Sequence, residues 1–254
     1  MDAVPTSCTA VSFRAFGPVA PMVDGVEIRL GGHRERALLS ALLMKPGVHQ
    51  STKRLAELLW GDGQPRDPGH AIRTLVMRLR RHIGILSVET TPGGYRIQAN
   101  DDQVDLHRFV GLVSSAQELL QQHEYRKADE IFTAALQLTM GGDPWVDLGA
   151  SRTGKAAAAQ INELRLRTEE DRAWARVSMG SPGIGELTKL ATEQPLRERR
   201  WCLLITALYK SGRQSEALRA YADVRRTLRD EIGLDPGPEL VELERQVLCH
   251  ELLQ

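Results

Sequence analysis

Apolar residues with helical spacing run through the segment DPGHAIRTLVMRLRRHIG, residues 67–84. Asp67 offers a side-chain oxygen suited to an N-cap, and Pro68 suits the first helical position, where a missing N–H group costs little. Gly84 is a suitable C-terminal stop. The pattern therefore predicts one amphipathic helix, whose buried stripe consists of Ile72, Leu75, Val76, Leu79 and Ile83.

The opposite face of this predicted helix concentrates positive charge. No acidic residue follows Asp67 within the segment. Solvated helix faces usually mix both signs of charge, so a face of one sign favours binding to a polyanion, although a plain solvated surface helix remains an alternative. The residues on this face are Arg73, Thr74, Met77, Arg78, Arg80 and Arg81.

Shorter elements surround this helix in the first hundred residues. Alternating apolar residues predict strands over residues 11–16 and 26–30, with a turn at residues 23–25 between them. Helical spacing predicts two earlier helices, residues 34–44 and residues 51–60, the second capped by Ser51 or Thr52.

A hairpin closes this part of the chain. Residues 86–91 and 95–99 read as strands around the breaker-rich turn Pro-Gly-Gly. Two helices joined by a loop and followed by a hairpin form a winged helix-turn-helix, whose second helix enters the major groove of DNA. Residues 1–104 are therefore predicted to be an α+β winged helix-turn-helix domain.

From residue 105 onward, helical periodicity dominates, and large and small residues recur at a spacing of 34 residues. Ala128, Gly183 and Ala217 are the small residues expected where paired helices cross closely. Residues 105–254 are predicted to be an all-α, tetratricopeptide-like helical-repeat domain; a generic helical bundle is the alternative.

Charge is distributed unevenly, although the 254 residues have a formal net charge of zero. Residues 66–96 hold six arginines and two acids, which is the pattern of a local docking face rather than of a wholly basic chain. Three widely spaced cysteines suggest neither a disulfide framework nor a zinc site. The absence of a signal-peptide pattern and of a long apolar run predicts a cytoplasmic, nucleoid-associated protein without a membrane partner.

No catalytic motif stands out, and we expect neither an enzyme nor a cofactor or metal. The segment GASRTGKA, residues 149–156, resembles a phosphate-binding loop, but Ala156 replaces the required Ser or Thr and no apolar strand precedes it. A flexible connection into the next helix is the favoured interpretation of this segment.

Several stretches resemble the small form of the Streptomyces antibiotic regulatory protein family. They are ERALLSALLM, RLAELLWGD, AIRTLVMRLRR and GGYRI in the first half, and VDLHRFVGLV and EALRAYADVRRTLRDEIGLDPGPELVELERQVL in the second. The resemblance implies an OmpR-type winged helix joined to a bacterial transcriptional activation domain. It also implies a homodimer on promoter DNA, bound to direct repeats near the −35 region, and recruitment of RNA polymerase holoenzyme through its sigma and alpha or beta subunits.

The same resemblance suggests roles for individual residues. The implied positions are Arg73, Thr74, Met77 and Arg78 for base readout; Thr52, Lys53, Arg80, Arg81, Tyr95 and Arg96 for phosphates and the wing; and Trp60, Gly61, Asp62, Gln64, Arg66 and Asp67 for a polymerase-contact loop. Met77 stands where the family usually has a small hydroxyl residue, so the DNA sequence that this protein prefers can differ from the family's.

Two rival interpretations of the whole chain are kept. One is a repressor or co-regulator that binds the same DNA, and the other is a protein–protein scaffold acting through the helical repeats.

Overall fold

A computed structural model describes residues 11–83, 88–181 and 183–251. Its contacts define two compact units. The first contains the described residues up to Val113 together with Ala134–Arg165, and the second contains Ser114–Thr133 together with the described residues from Leu166 onward. The predicted division at residue 104 is a different partition and stays a prediction.

The chain begins with a three-stranded antiparallel sheet in the order β1-β2-β3, formed by Val11–Arg14, Ala20–Val23 and Val26–Glu27. The predicted turn is confirmed, because Asp24 and Gly25 both adopt left-handed backbone angles, with φ of 49° and 81°. It joins β2 to β3 rather than the two predicted strands. Strand β2 was missed because Pro21, which pairs with Phe13, argues against a central strand.

Three helices follow: α1, His33–Leu43; α2, Thr52–Trp60; and α3, Pro68–Ile83. The cap predictions are confirmed, since Ser51 Oγ accepts from the Arg54 N–H group at 3.2 Å and Asp67 Oδ1 accepts from the His70 N–H group at 2.8 Å. All five residues of the predicted stripe on α3 are buried. Gly84, the predicted stop, lies outside the described residues.

A second antiparallel sheet has the order β4-β6-β5, with β4 at Gln50–Ser51, β5 at Val88–Thr91 and β6 at Gly94–Ile97. The predicted hairpin is confirmed as β5–β6; residues 86–87 of its first strand lie outside the described residues. Strand β4 was not predicted, because two residues carry no periodic signal. A Cβ atom on Gly94 would lie 2.0 Å from the Gln50 carbonyl oxygen, so β4 can approach only a glycine.

The rest of the described chain is helical, which makes this a mostly helical protein with two small sheets. Among the residues that the structure covers, no helix has both the length and the apolar character needed to cross a bilayer. The remaining helices are α4, Asp105–Gln121; α5, Tyr125–Leu138; α6, Arg152–Ser178; α7, Ile184–Glu193; α8, Glu198–Lys210; α9, Gln214–Ile232; and α10, Pro238–Cys249.

The repeat pattern describes the pair α8 and α9 best. Its large residues on α8 are buried, and Ala217 on α9 is completely buried, as expected at a close helix crossing. The expectation for Gly183 is wrong. Gly183 lies before α7 with φ of 52°, so it starts that helix rather than allowing two helices to cross.

Residues 143–148 form a packed part of the first unit, directly before the segment 149–156 that was predicted to be a flexible connection. Residues 152–156 of that segment already belong to α6, so the helix begins earlier than predicted. The Trp145 N–H group donates to the Ala15 carbonyl oxygen at 3.3 Å, and the Gly17 N–H group donates to the Asp143 carbonyl oxygen at 2.9 Å. The Asp147 side chain is 3% exposed. It accepts from the Val19 N–H group at 2.8 Å and from Arg36 Nε at 2.9 Å. These bonds fix the segment against the connection between β1 and β2 and against α1, both more than a hundred residues earlier in the chain.

The second glycine of GASRTGKA has a packing role in this arrangement. A Cβ atom on Gly154 would lie 2.3 Å from the Leu148 carbonyl oxygen, whereas one on Gly149 would lie 3.5 Å from the Val146 carbonyl oxygen, an ordinary van der Waals distance. We expect Gly154→Ala to lower the free energy of unfolding by about 1–3 kcal/mol through overpacking. The matched control Gly149→Ala, at φ of −62°, should be neutral or slightly stabilising. Urea denaturation measures both, and equal effects would contradict this packing role.

Candidate nucleic-acid interface

The outward side of α3 presents guanidinium groups without internal partners. We call Arg73, Thr74, Met77, Arg78 and Arg81 the arginine face. Its three arginines are exposed, and none of them pairs with a carboxylate among the described residues. Met77 is 54% exposed. The burial of the opposite stripe fixes this orientation, because that stripe anchors α3 in the core.

Thr74 has a defined hydrogen-bonding role. Its hydroxyl group donates to the His70 carbonyl oxygen at 3.1 Å. Because a hydroxyl group has one proton and two acceptor lone pairs, the remaining capacity of Thr74 is to accept. The arginine face therefore offers guanidinium donors, one hydroxyl acceptor and one exposed thioether.

Arg80 is placed differently from its neighbours, toward the hairpin. Its Nε donates to the Val88 carbonyl oxygen at 2.8 Å, and its Nη2 donates to Thr90 Oγ1 at 3.0 Å. Both acceptors lie on β5. The structure thus gives Arg80 a role in fixing the hairpin to α3, in contrast with the free phosphate contact expected from the sequence.

Loss of the Arg80 bonds should destabilise the protein measurably. We expect Arg80→Met, which keeps the aliphatic stem, to lower the free energy of unfolding by about 1 kcal/mol. The control Arg81→Met removes the same charge one residue later and should change stability by less than about 0.5 kcal/mol. Urea denaturation compares the two variants; a larger effect at Arg81 would show that these bonds do not stabilise the hairpin.

The hairpin arginine also has an internal partner. Arg96 Nε donates to Glu89 Oε2 at 2.9 Å, across the register of β5 and β6. The Arg96 guanidinium and then the Gln98 amide hold the pKa of Glu89 below its ordinary value, so this carboxylate stays charged. Aligning the hairpin about the two residues Pro92 and Gly93, rather than about Pro-Gly-Gly, would have revealed the pair, because Glu89 and Arg96 then lie three positions from the turn on each side.

The other residues predicted for phosphates and the hairpin divide into internal and exposed positions. Tyr95 is 8% exposed, which places its ring in the core. Both the N–H group and the hydroxyl group of Thr52 donate to the Gly93 carbonyl oxygen, at 2.9 and 3.1 Å. Lys53 is exposed beside Thr52 at the start of α2. The exposed cations of this set without described partners are therefore Lys53 and Arg81.

The loop between α2 and α3 is partly structural and partly exposed. The Arg34 guanidinium lies 5.8 Å from the Trp60 ring centroid. Gly61 has φ of 56°, and a Cβ atom there would lie 2.7 Å from the Ala150 carbonyl oxygen, so the loop packs closely at this point. Asp67 caps α3. The side chains of this loop that remain exposed and uncommitted to the core are Asp62, Gln64 and Arg66.

Comparison with known proteins assigns the second half of the chain. Residues 104–248 match the bacterial transcriptional activator domain family. The chain is 32% identical to the transcriptional regulator RedD of Streptomyces coelicolor, over 95% of this chain and 71% of RedD. It is 37% identical to the regulatory protein AfsR of the same species, over 94% of this chain. The chain spans 24% of the length of that AfsR protein.

A solved structure has the same fold. The chain matches Mycobacterium tuberculosis EmbR, determined in complex with a low-affinity phosphopeptide, with a TM-score of 0.90 and 30% sequence identity. The match covers 97% of this chain and 67% of the EmbR chain. Family match, relatives and structure agree, and the chain therefore belongs to the Streptomyces antibiotic regulatory protein family of transcription regulators.

Proposed function

We propose that this protein is a sequence-specific DNA-binding activator of transcription, with α1–α3 and the β5–β6 hairpin forming a winged helix-turn-helix. The observation that carries the proposal is the arginine face, whose guanidinium groups have no described internal partner on a helix firmly anchored by its other side. A helix of this kind fits the major groove of B-form DNA.

Two kinds of contact follow from the chemistry of the face. Arg73 and Arg78 are suited to bidentate bonds with the O6 and N7 atoms of guanine, whereas exposed Met77 can pack against a thymine methyl group but cannot donate a hydrogen bond. Thr74 can accept from an exocyclic amino group. Lys53 and Arg81 are suited to phosphates, which position the protein without reading sequence.

The hairpin is proposed as the wing. Its attachment through Arg80 fixes its position relative to α3, so wing and recognition helix would dock on the duplex as one body. In this arrangement Arg96 remains available to a phosphate only if its bond to Glu89 opens or is shared. The wing's contribution to affinity is therefore proposed to be smaller than that of α3.

The activating step is proposed from the family relationship. Two protomers would bind direct repeats near the −35 region, about one or two helical turns apart. The exposed residues Asp62, Gln64 and Arg66 would contact RNA polymerase holoenzyme, and the target would be an antibiotic biosynthetic gene cluster. Support comes from the match to the transcriptional activator domain and from the regulators RedD and AfsR.

In vitro transcription tests the activating step. A promoter carrying the protein's binding site is transcribed by RNA polymerase holoenzyme with and without the full chain. We expect more transcript with the protein, and the triple substitution of Asp62, Gln64 and Arg66 by alanine should remove that gain while DNA binding persists. Reduced transcript would favour a repressor instead.

A second candidate function is a scaffold that binds a phosphorylated partner. The EmbR structure contains a phosphopeptide, and a face rich in arginine also suits phosphate groups. Competition decides between the two: a duplex containing the specific site should displace any bound phosphopeptide, and the reverse order of affinity would favour the scaffold.

A further inference from the structure

A concave pocket of about 410 Å³ lies in the second unit, lined by residues from α6, α8 and α10. Its volume falls in the range of small-molecule sites in proteins, roughly 300–1,000 Å³. None of its lining residues belongs to α1–α3 or to the hairpin, so none of them has a role described above. Its function is therefore a separate question from DNA binding.

The inner surface of this pocket is partly apolar. Cys202, Leu203 and Leu243 are buried residues of the core around it. Burial, and after it the carboxylates of Glu239 and Glu198, raises the pKa of the Cys202 thiol to about 12, so this group stays neutral. Trp174 also lines the pocket, and this residue is 39% exposed. An exposed indole face in a concave site is a favourable surface for an apolar or cationic ligand.

One carboxylate that lines the pocket has no cationic partner among the described residues. Arg199, the one cation among the lining residues, already forms salt bridges through its guanidinium group with the carboxylates of Asp171, at 2.5 Å, and Glu170, at 3.6 Å. Glu242 Oε1 forms a salt bridge with Arg245 Nη2 at 2.8 Å. Glu239 is exposed, and no described cation pairs with it. It lies in the first turn of α10.

We propose that this pocket binds a small amphipathic amine. The ammonium group would lie between the Trp174 indole and the Glu239 carboxylate, where ring and carboxylate both attract a cation. The apolar body of the ligand would pack against Leu203 and Leu243. A pocket of this volume fits a single small molecule, whereas a bound peptide requires an extended groove or a free sheet edge.

Three probes of one shape test the proposal on the full chain. They are 2-phenylethylamine, which is cationic at pH 7, 2-phenylethanol, which is neutral, and phenylacetate, which is anionic. Saturation-transfer NMR and titration followed by tryptophan fluorescence measure their binding. We expect the amine to bind about tenfold more tightly than the alcohol, and phenylacetate to bind most weakly. Equal affinities, or no amine binding up to about 10 mM, would overturn the proposal.

Variants assign the binding to the pocket. Glu239→Gln should abolish the preference for the amine over the alcohol, and Trp174→Ala should weaken both probes about tenfold. The matched control Glu231→Gln changes another exposed carboxylate, on α9, and should leave all three affinities unchanged. A preference for the amine that survives Glu239→Gln contradicts the assignment. Tighter binding of Nα-acetyl-lysine methylamide, which keeps its side-chain ammonium group, than of phenylethylamine also contradicts it, because a protein side chain would then be the occupant.

Discussion

Arg73→Ala is expected to weaken binding to the specific duplex by about 5- to 150-fold, equivalent to about 1–3 kcal/mol, and to relax the preference at one base position. The reason is that Arg73 lies on the exposed side of α3 without an internal partner, so its guanidinium is free to make bidentate bonds to a guanine edge. Competition by duplexes mutated one base pair at a time measures the loss at each position.

Arg81→Ala is the matched control, since it removes the same side chain from the last turn of α3. We expect it to weaken all sequences alike and to lower the slope of log K against log salt by about one, as loss of a phosphate contact does. If Arg81→Ala changes sequence preference and Arg73→Ala does not, the assignment of base-reading and phosphate-binding positions on the arginine face is wrong.

Asp147→Ala is expected to lower the free energy of unfolding by about 2–4 kcal/mol. The substitution leaves the buried Val19 N–H group without its acceptor and removes the partner of Arg36. Asp147→Asn keeps one acceptor oxygen but loses the ion pair, so its effect should be smaller. Chemical denaturation of the full chain, followed by circular dichroism, measures the three proteins.

Asp143 provides the control for this effect. It lies in the same segment, but its side chain is 69% exposed and lies 3.8 Å from Arg165. An exposed pair of this kind contributes little, so Asp143→Ala should change stability by less than about 1 kcal/mol. Comparable losses at Asp143 and Asp147 would contradict the role of the buried carboxylate in fixing residues 143–148.

Local patterns were sufficient to predict the central helix and the hairpin. The stripe on α3, the Ser51 and Asp67 caps and the β5–β6 hairpin each depend on residues a few positions apart, and the structure confirms them, although Gly94 of the predicted turn Pro-Gly-Gly belongs to β6. The exposed arginines follow from the same periodicity, because a buried stripe dictates which side chains point outward.

Features set by distant residues could not be predicted in this way. Strands β2 and β4 contain four and two residues, and each exists because another strand pairs with it. The packing of residues 143–148 depends on a bond between Asp147 and Val19, 128 positions apart. Arg80 looked equivalent to a free arginine, since its acceptors on β5 become neighbours of α3 only after the chain folds.

Selection of bound sequences from a random duplex pool by the full chain tests whether the arginine face reads DNA sequence. We expect recovery of a direct repeat whose units are about one or two helical turns apart, with a guanine in each unit that Arg73→Ala no longer requires. Recovery of no consensus, with binding that only collapses as salt rises, would contradict this expectation, because the arginine face would then be a nonspecific polyanion patch.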